Sequence, residues 1–425
     1  MSPVPDEHSV PGYRVAIVCI AIAFTLTGLY TGSELALALG LKTGIRATVL
    51  GSIILVVMSI PAAIVGARTR LSTYMIVRNV FGESGSKLVN LVLAIVLLGW
   101  YAVTAELFGR TCFLTVAEYF PGVQVPAFAY TIACSAAVIA TTIFGFRAIE
   151  RLSLFVAPLL VALTVYVAYR ALQHNSWDAL AAVHGTDIEP DLGRGISAVV
   201  GGMIVNVVLM PDMTRYSRTV FDCALISVTG NGVGSGVALV LAMLPALAFG
   251  EQDPLKYMSA LHLVGIAFTT LVVSTWSINT INLYSTGLVT STALPGVSYG
   301  RIVIGCGIVG TALAVVGVAD RLIDFLVLLG LIVPPIAAVY LSDFFLLRRR
   351  DYSADAHLAQ SGSTNINGII ACVTGAALGI ALYFTKTSLT GVPTIESFIS
   401  AGCLYLIGER ARRSLGRDRR WQLAG

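Results

Sequence analysis

Apolar runs of roughly 20 residues recur from one end of this chain to the other, the length a helix needs to cross a bilayer core. Inside hydrocarbon every backbone N–H and C=O must be paired, and irregular backbone survives there only beside protein or a water-lined cavity. Composition agrees with immersion in lipid. Of 425 residues, 56% are hydrophobic and 12% charged, with a mean hydropathy of +0.84. A soluble globular domain carries about 25% charged residues. The chain therefore reads as an all-α polytopic membrane protein.

Twelve spans are expected, at 14–40, 47–67, 87–112, 127–145, 152–172, 197–213, 222–249, 260–289, 301–318, 323–347, 367–385 and 395–409. They organise the chain as a tail (1–13), a transporter domain (14–409) and a basic tail (410–425). Within the domain, residues 14–172 and 197–347 form two five-span halves, followed by two extra spans over 367–409. The polar opening "MSPVPDEHSVPGY" gives no cleavable signal peptide, so the first run is expected to remain as a span. With both termini inside, 19 Lys and Arg fall on the inner side and seven outside, leaving Arg110 within a span. The excess of basic residues on the cytoplasmic side orients a membrane protein, so both ends are expected in the cytoplasm of an inner-membrane protein.

The net charge of +4 follows from that bias, and the tail "ERARRSLGRDRRWQLAG" is expected to meet anionic lipid headgroups, with no nucleic acid as partner. The seven cysteines are scattered singly and read as small packing residues. Loops 173–196 and 348–366 are too short to hold a catalytic module, and no phosphate loop, zinc-protease motif or nucleophile elbow occurs. No enzyme, metal centre or cofactor is expected.

Two spans show signs of interruption. Span one holds Thr25, Thr27, Gly28, Thr31, Gly32 and Ser33 at its middle; span six holds Gly201, Gly202, Asn206 and then Pro211. They lie five spans apart, and paired interruptions at corresponding positions point to a transporter's midplane site. Close glycine packing is the competing reading. Span eight carries "STWSINTINLYSTGL" (274–288), in which Thr275, Asn279, Asn282 and Thr286 fall on one helix face. Such groups can tie helices together, but four in a row, two of them amides, suit a pathway for a planar solute with mixed donors and acceptors. In span three, Trp100 lies away from the interfacial belt and offers a flat face for stacking, with Thr104 one turn on. Trp276 reads as structural.

Four stretches carry a resemblance: "GWYAV" at 99–103, "PDMTRYSR" at 211–218, "WSINTINLYSTGL" at 276–288 and "VPPIAAVYLSDFFLLRRRDY" at 333–352. In this ordered set the chain resembles the nucleobase-cation-symport-1 family, bacterial cytosine permeases above all. The resemblance implies a LeuT-like fold of two inverted five-span repeats plus two C-terminal spans, working by alternating access. It implies that Trp100 stacks on the base, that Thr104 is the polar position one turn on, and that Asn279 reads the ring edge, with Asn282 placed as in fungal purine-cytosine carriers. In span six it points to Gly202 and Met203, where cytosine permeases present small residues and an aromatic lid, with Asn206 nearby. The implied solute is cytosine or another nucleobase-like heterocycle (a purine, allantoin or a thiamine-precursor pyrimidine being the alternatives), imported by symport with a cation.

The cation could be sodium or a proton. The resemblance sets sodium between span-one carbonyls near Phe24 and Thr25 and hydroxyls of span eight, where Ser277 fits, Ile278 offers no oxygen and Ser274 or Thr275 could substitute. For a proton, the titrating candidates are Glu34 and Glu106, although Glu106 could pair with Arg110 at i,i+4 and Glu34 could be solvated at the outer mouth. His262 reads as interfacial.

Overall fold

The computed structural model describes residues 5, 9–144, 146–186, 191–294, 296–347 and 364–414. Arg348–Arg350 and the tail from residue 415 lie outside the described residues. Among those described, the chain is helical and no strand forms, apart from two isolated bridges, Val10 with Ser217 and Gly82 with Thr364. Among the described residues, eight continuous helical stretches are long and apolar enough to cross a membrane, two of them built from several helical pieces. The remainder of the expected spans are shorter pieces or more polar helices, for reasons that lie in their sequences.

Span one is two helices, α1 (Gly12–Ala23) and α2 (Leu26–Leu39). The chain leaves the helix at Phe24 (φ −90°, ψ 86°) and runs extended through Thr25 (φ −132°, ψ 162°). Thr25 is the N-cap of α2: its Oγ1 accepts from the Gly28 N–H at 3.2 Å and lies 2.9 Å from the Thr27 hydroxyl. A β-branched hydroxyl residue is well suited to this, since capping requires extended backbone and supplies an acceptor to an otherwise orphaned N–H.

Span six is α8 (Leu192–Val208) followed by α9 (Met210–Thr214). The interruption falls at Leu209 (φ −88°, ψ 5°), two residues before Pro211, which has no N–H to continue the ladder. It does not fall at Gly201 and Gly202, which are ordinary residues of α8. Gly201 serves packing: a Cβ there would land on the Leu326 carbonyl oxygen.

Between these come α3 (Leu41–Thr69), α4 (Thr73–Tyr119), α5 (Ala127–Phe144), α6 (Phe146–His174) and the short α7 (Trp177–Ala182). Helix α4 begins well before the expected start at 87 because it is two helices meeting at a kink at Gly82 (φ 76°, ψ 177°), a backbone that glycine adopts cheaply, and the Phe81 carbonyl there accepts from the Asn365 N–H at 2.8 Å. The seventh span is α10 (Val220–Ile226), a π-helical stretch (Ser227–Gly234) and α11 (Ser235–Phe249). After the short α12 (Pro254–Ala260) come α13 (Val264–Ala293), α14 (Tyr299–Val316), α15 (Leu322–Ile332) and α16 (Pro334–Ser342). Helices Ile366–Thr385 and Pro393–Ser414 pack on each other.

Helix α13 packs chiefly on α4, α2 on α11, and α8 on α3 and α15. Large apolar side chains such as Ile53, Val57, Ile95, Ile308 and Val373 remain more than half exposed on the outside of the bundle. In water that surface would be a liability; against acyl chains it is the required one. All seven cysteines are free.

Because α8 and α15 meet backbone to backbone, Gly201→Ala should force them apart. The expected loss is about 1–3 kcal/mol, the usual cost of overpacking, read as a lowered melting temperature in detergent.

Candidate functional site

A cavity of about 220 Å³ opens where the interrupted α1–α2 segment, α4, α8, α11 and α13 converge. From the first segment it receives Thr25, Thr27, Gly28 and Thr31, so the residues around the helix break face it directly. Thr31 Oγ1 donates back to the Thr27 carbonyl (2.8 Å). Helix α4 contributes Leu97, Trp100 and Thr104, spaced three and four apart and therefore on one face. Helix α8 contributes Gly202, Met203 and Asn206; Gly202 has only Leu326 Cδ1, at 4.0 Å, near the place of a Cβ. Ser235 and Leu239 of α11 complete that side.

Trp100 is held edge-on by Phe325 of α15, with ring centroids 5.5 Å apart and planes at 80°. The Phe24 ring, by contrast, belongs to an apolar cluster with Ala238, next to Met203, and does not line the cavity.

Helix α13 presents Ile278, Ile281, Asn282 and Ser285 to the cavity. This face differs from the expected stripe of Thr275, Asn279, Asn282 and Thr286, and only Asn282 belongs to both. At 100° per residue the rest of the stripe turns away from the cavity and is buried: Thr275, Asn279 and Thr286 are all 1% exposed or less. Asn279 accordingly lies behind the cavity wall. Its Oδ1 is 2.6 Å from the hydroxyl of Thr104, which does line the cavity, and the Trp100 and Tyr101 carbonyls compete for the same proton at 2.6 and 3.1 Å. Thr286 donates to the Asn282 backbone carbonyl (2.8 Å), and Thr275 Oγ1 has no partner. Ser277 is buried and Ser274 half-buried, neither of them lining the cavity. Trp276 donates to Thr141 (3.1 Å) and packs by Phe108, a structural placement.

The charged candidates sit away from this cavity. Glu106 does not pair with Arg110: Glu106 Oε2 accepts the Ala319 N–H at 2.7 Å. Arg110 instead reaches Asp253 (3.5 Å) and Asp320 (3.3 Å), while Tyr30 also donates to Asp253 (3.0 Å). Burial pushes the Asp253 carboxyl above the usual range, opposed by the Leu255 N–H, Tyr30 and Arg110. This cluster ties α2, α4, the turn before α12 and the segment before α15 together. Glu34 lines a second cavity of about 280 Å³ with Arg194, Gln252 and Thr186, and its Oε2 is buried without a partner. His262 is exposed in a turn, at φ 58°, ahead of α13.

Sequence reasoning did not name Ile281, Ser235 or Ser285 as lining residues. Ser285 was legible as Asn282 plus three; Ser235 carries no local signal, because the π-helical stretch before it shifts its face.

The sequence profile of permeases for cytosine/purines, uracil, thiamine and allantoin matches residues 3–408. The cytosine permease of Escherichia coli (strain K12) is 26% identical over 408 residues, covering 95% of this chain and 92% of that protein. Among solved structures, the inward-facing conformation of Mhp1 superposes with a TM-score of 0.87 at 18% identity, covering 97% of this chain and 93% of that one. Mhp1, described as a nucleobase-cation-symport-1 family transporter, in a closed conformation with bromovinylhydantoin bound gives 0.81 at 19% identity, covering 97% and 95%.

Thr104→Val keeps the shape of the side chain but removes the donor to buried Asn279. A buried acceptor deprived of its donor costs about 1–3 kcal/mol. Thermal denaturation should show Thr104→Val less stable than Thr104→Ser, which keeps the hydroxyl.

Proposed function

The chain belongs to the family of permeases for cytosine/purines, uracil, thiamine and allantoin, and on that premise we propose that it is a secondary symporter importing a nucleobase-like heterocycle, cytosine first among candidates. The membership makes it an integral membrane transporter and not an enzyme. One observation carries the finer reading. The cavity at the helix interruptions is lined by an indole, Trp100, and by two amides, Asn206 and Asn282, with no charged side chain among its lining. That set suits a flat, uncharged ring: apolar enough to stack, polar enough at its edge to be oriented.

In this reading Trp100 stacks on the ring, while Asn282 and Asn206 pair with its edges. Thr104 lies beside Trp100 on the wall, and Asn279 acts through Thr104. Gly202 and Met203 complete the pocket; Met203 brings a flexible thioether where a cytosine permease is expected to carry an aromatic lid. That substitution favours the second reading, in which the solute is a purine, allantoin or a thiamine-precursor pyrimidine. The proposal includes twelve spans with both termini in the cytoplasm of the inner membrane, and contact of the basic tail with anionic lipid.

For coupling, we propose sodium held by backbone carbonyls at Phe24 and Thr25 and by hydroxyls of Ser277 and Ser274. The α1–α2 interruption supports this, because unwound backbone supplies oxygens that a hard cation requires. Ile278, which lines the solute cavity, supplies none.

Radiolabelled cytosine uptake, in cells lacking their own permeases, tests the solute site. Stacking on an aromatic side chain is worth about 1–3 kcal/mol, so Trp100→Ala should weaken apparent affinity roughly ten- to hundredfold. The protein should still insert normally; unchanged affinity would contradict the site.

Sodium coupling predicts that uptake falls severalfold in choline buffer at fixed pH, and that Ile278→Thr steepens the sodium dependence. Full uptake without sodium that vanishes on adding a protonophore would assign the coupling to protons.

A further inference from the structure

Behind the Asn206 wall of the cavity runs a buried polar chain that the proposed site does not use. Asn206 donates its Nδ2 to Asn231 Oδ1 at 2.8 Å. Asn231 in turn donates its Nδ2 to Ser59 Oγ at 2.9 Å, and Ser59 donates to Ser227 Oγ at 2.9 Å. Asn231, Ser59 and Ser227 are fully buried, so no solvent exchanges for a lost partner. Asn206 alone reaches the cavity. Asn231 and Ser227 belong to the π-helical stretch 227–234 and Ser59 to α3. Such π segments inside α-helices often accompany functional sites.

The direction of the chain matters. Each bond runs from donor to acceptor away from the cavity, so one Asn206 N–H is committed to Asn231 and the Asn206 carbonyl oxygen is left as an acceptor for a solute. A lone asparagine amide rotates and offers a donor or an acceptor with similar ease. One anchored through its nitrogen does not. Sites built to pair a particular polar group of the substrate reject analogues that lack it far more strongly than apolar pockets reject a missing methylene.

We propose that Asn231 and Ser59, which do not touch the cavity, are positioning residues that set solute selectivity by holding the Asn206 carboxamide with its oxygen toward the solute. The site thereby selects rings that present an N–H at that point. This rests on the reading of the cavity as a heterocycle-transport site. Simple helix-to-helix gluing is the competing role for the same bonds, and it predicts lost stability with selectivity untouched.

The test is competition of unlabelled cytosine and uracil against radiolabelled cytosine uptake, since these two rings carry opposite donor and acceptor patterns along one edge. Wild type should separate their inhibition constants by about tenfold, the effect of one mispaired buried group. Asn206→Ala and Asn231→Leu should each bring the ratio to within about threefold, and Ser59→Ala should move it the same way by less. Adding Asn231→Leu to Asn206→Ala should change the ratio no further, because no amide is left to position. Should Asn231→Leu fail to insert, Ser59→Ala alone carries the test. A wild-type ratio near one overturns the proposal. So does a ratio unchanged in both Asn231→Leu and Ser59→Ala, or an additive double variant. Absence of cytosine uptake and of competition by any nucleobase in wild type contradicts the functional reading itself, and this proposal falls with it.

Discussion

A backbone amide or carbonyl stranded in hydrocarbon costs several kcal/mol, and the architecture follows from where this chain accepts an interruption and how it repairs one. At Phe24–Thr25 the helix stops for two residues in the middle of a span, and Thr25 restores one of the lost bonds by capping α2 through its own hydroxyl. At Leu209 the repair is different: Pro211 has no N–H to satisfy, so the ladder stops with one fewer orphan. Groups still unpaired at the two breaks have somewhere to go, because a cavity lies between them. The interruption and the cavity are thus one feature, since neither is tolerable in lipid without the other.

Around that feature, polar side chains divide by helix face. On α13, residues 278, 281, 282 and 285 look into the cavity, while Thr275, Asn279 and Thr286 are buried away from it, Asn279 against Thr104 of α4. The second group does the work of holding: Thr104 and Asn279 join the helix that carries Trp100 to the helix that carries Asn282. A rotation of either helix by one residue would separate the indole from the amide, so a bond in the cavity wall governs the geometry inside it. The Asn206–Asn231–Ser59 chain has the same relation to α8.

Much of this was legible in the sequence because lipid simplifies the code. The interruption in span one was legible through Thr25, Thr27 and Gly28, since hydroxyls that can cap a helix and a glycine cluster there in mid-membrane. Trp100 and Asn282 were legible for the same reason. Other features were not. Gly201 and Gly202 give the same signal as a break, but Gly201 is required by close approach to the Leu326 carbonyl and Gly202 lines the cavity. Spacing puts the stripe on the right helix, α13, but one face too far round, because it identifies which residues share a face without saying what that face meets. Glu106 and Arg110 have ideal i,i+4 spacing, yet each finds a partner from a distant segment, Ala319 for one and Asp253 with Asp320 for the other. Pairings between residues hundreds of positions apart leave no local trace.

We propose that the solute sits between the two helix interruptions, on Trp100 and against Asn282 and Asn206. An experimental structure of the protein with a bound nucleobase tests it most directly. Ring density stacked on Trp100, with an edge within hydrogen-bonding distance of the Asn282 and Asn206 amides, is the predicted result. A ring found instead beside Glu34 and Arg194 in the second cavity, or bound with Trp100 untouched, would contradict the account.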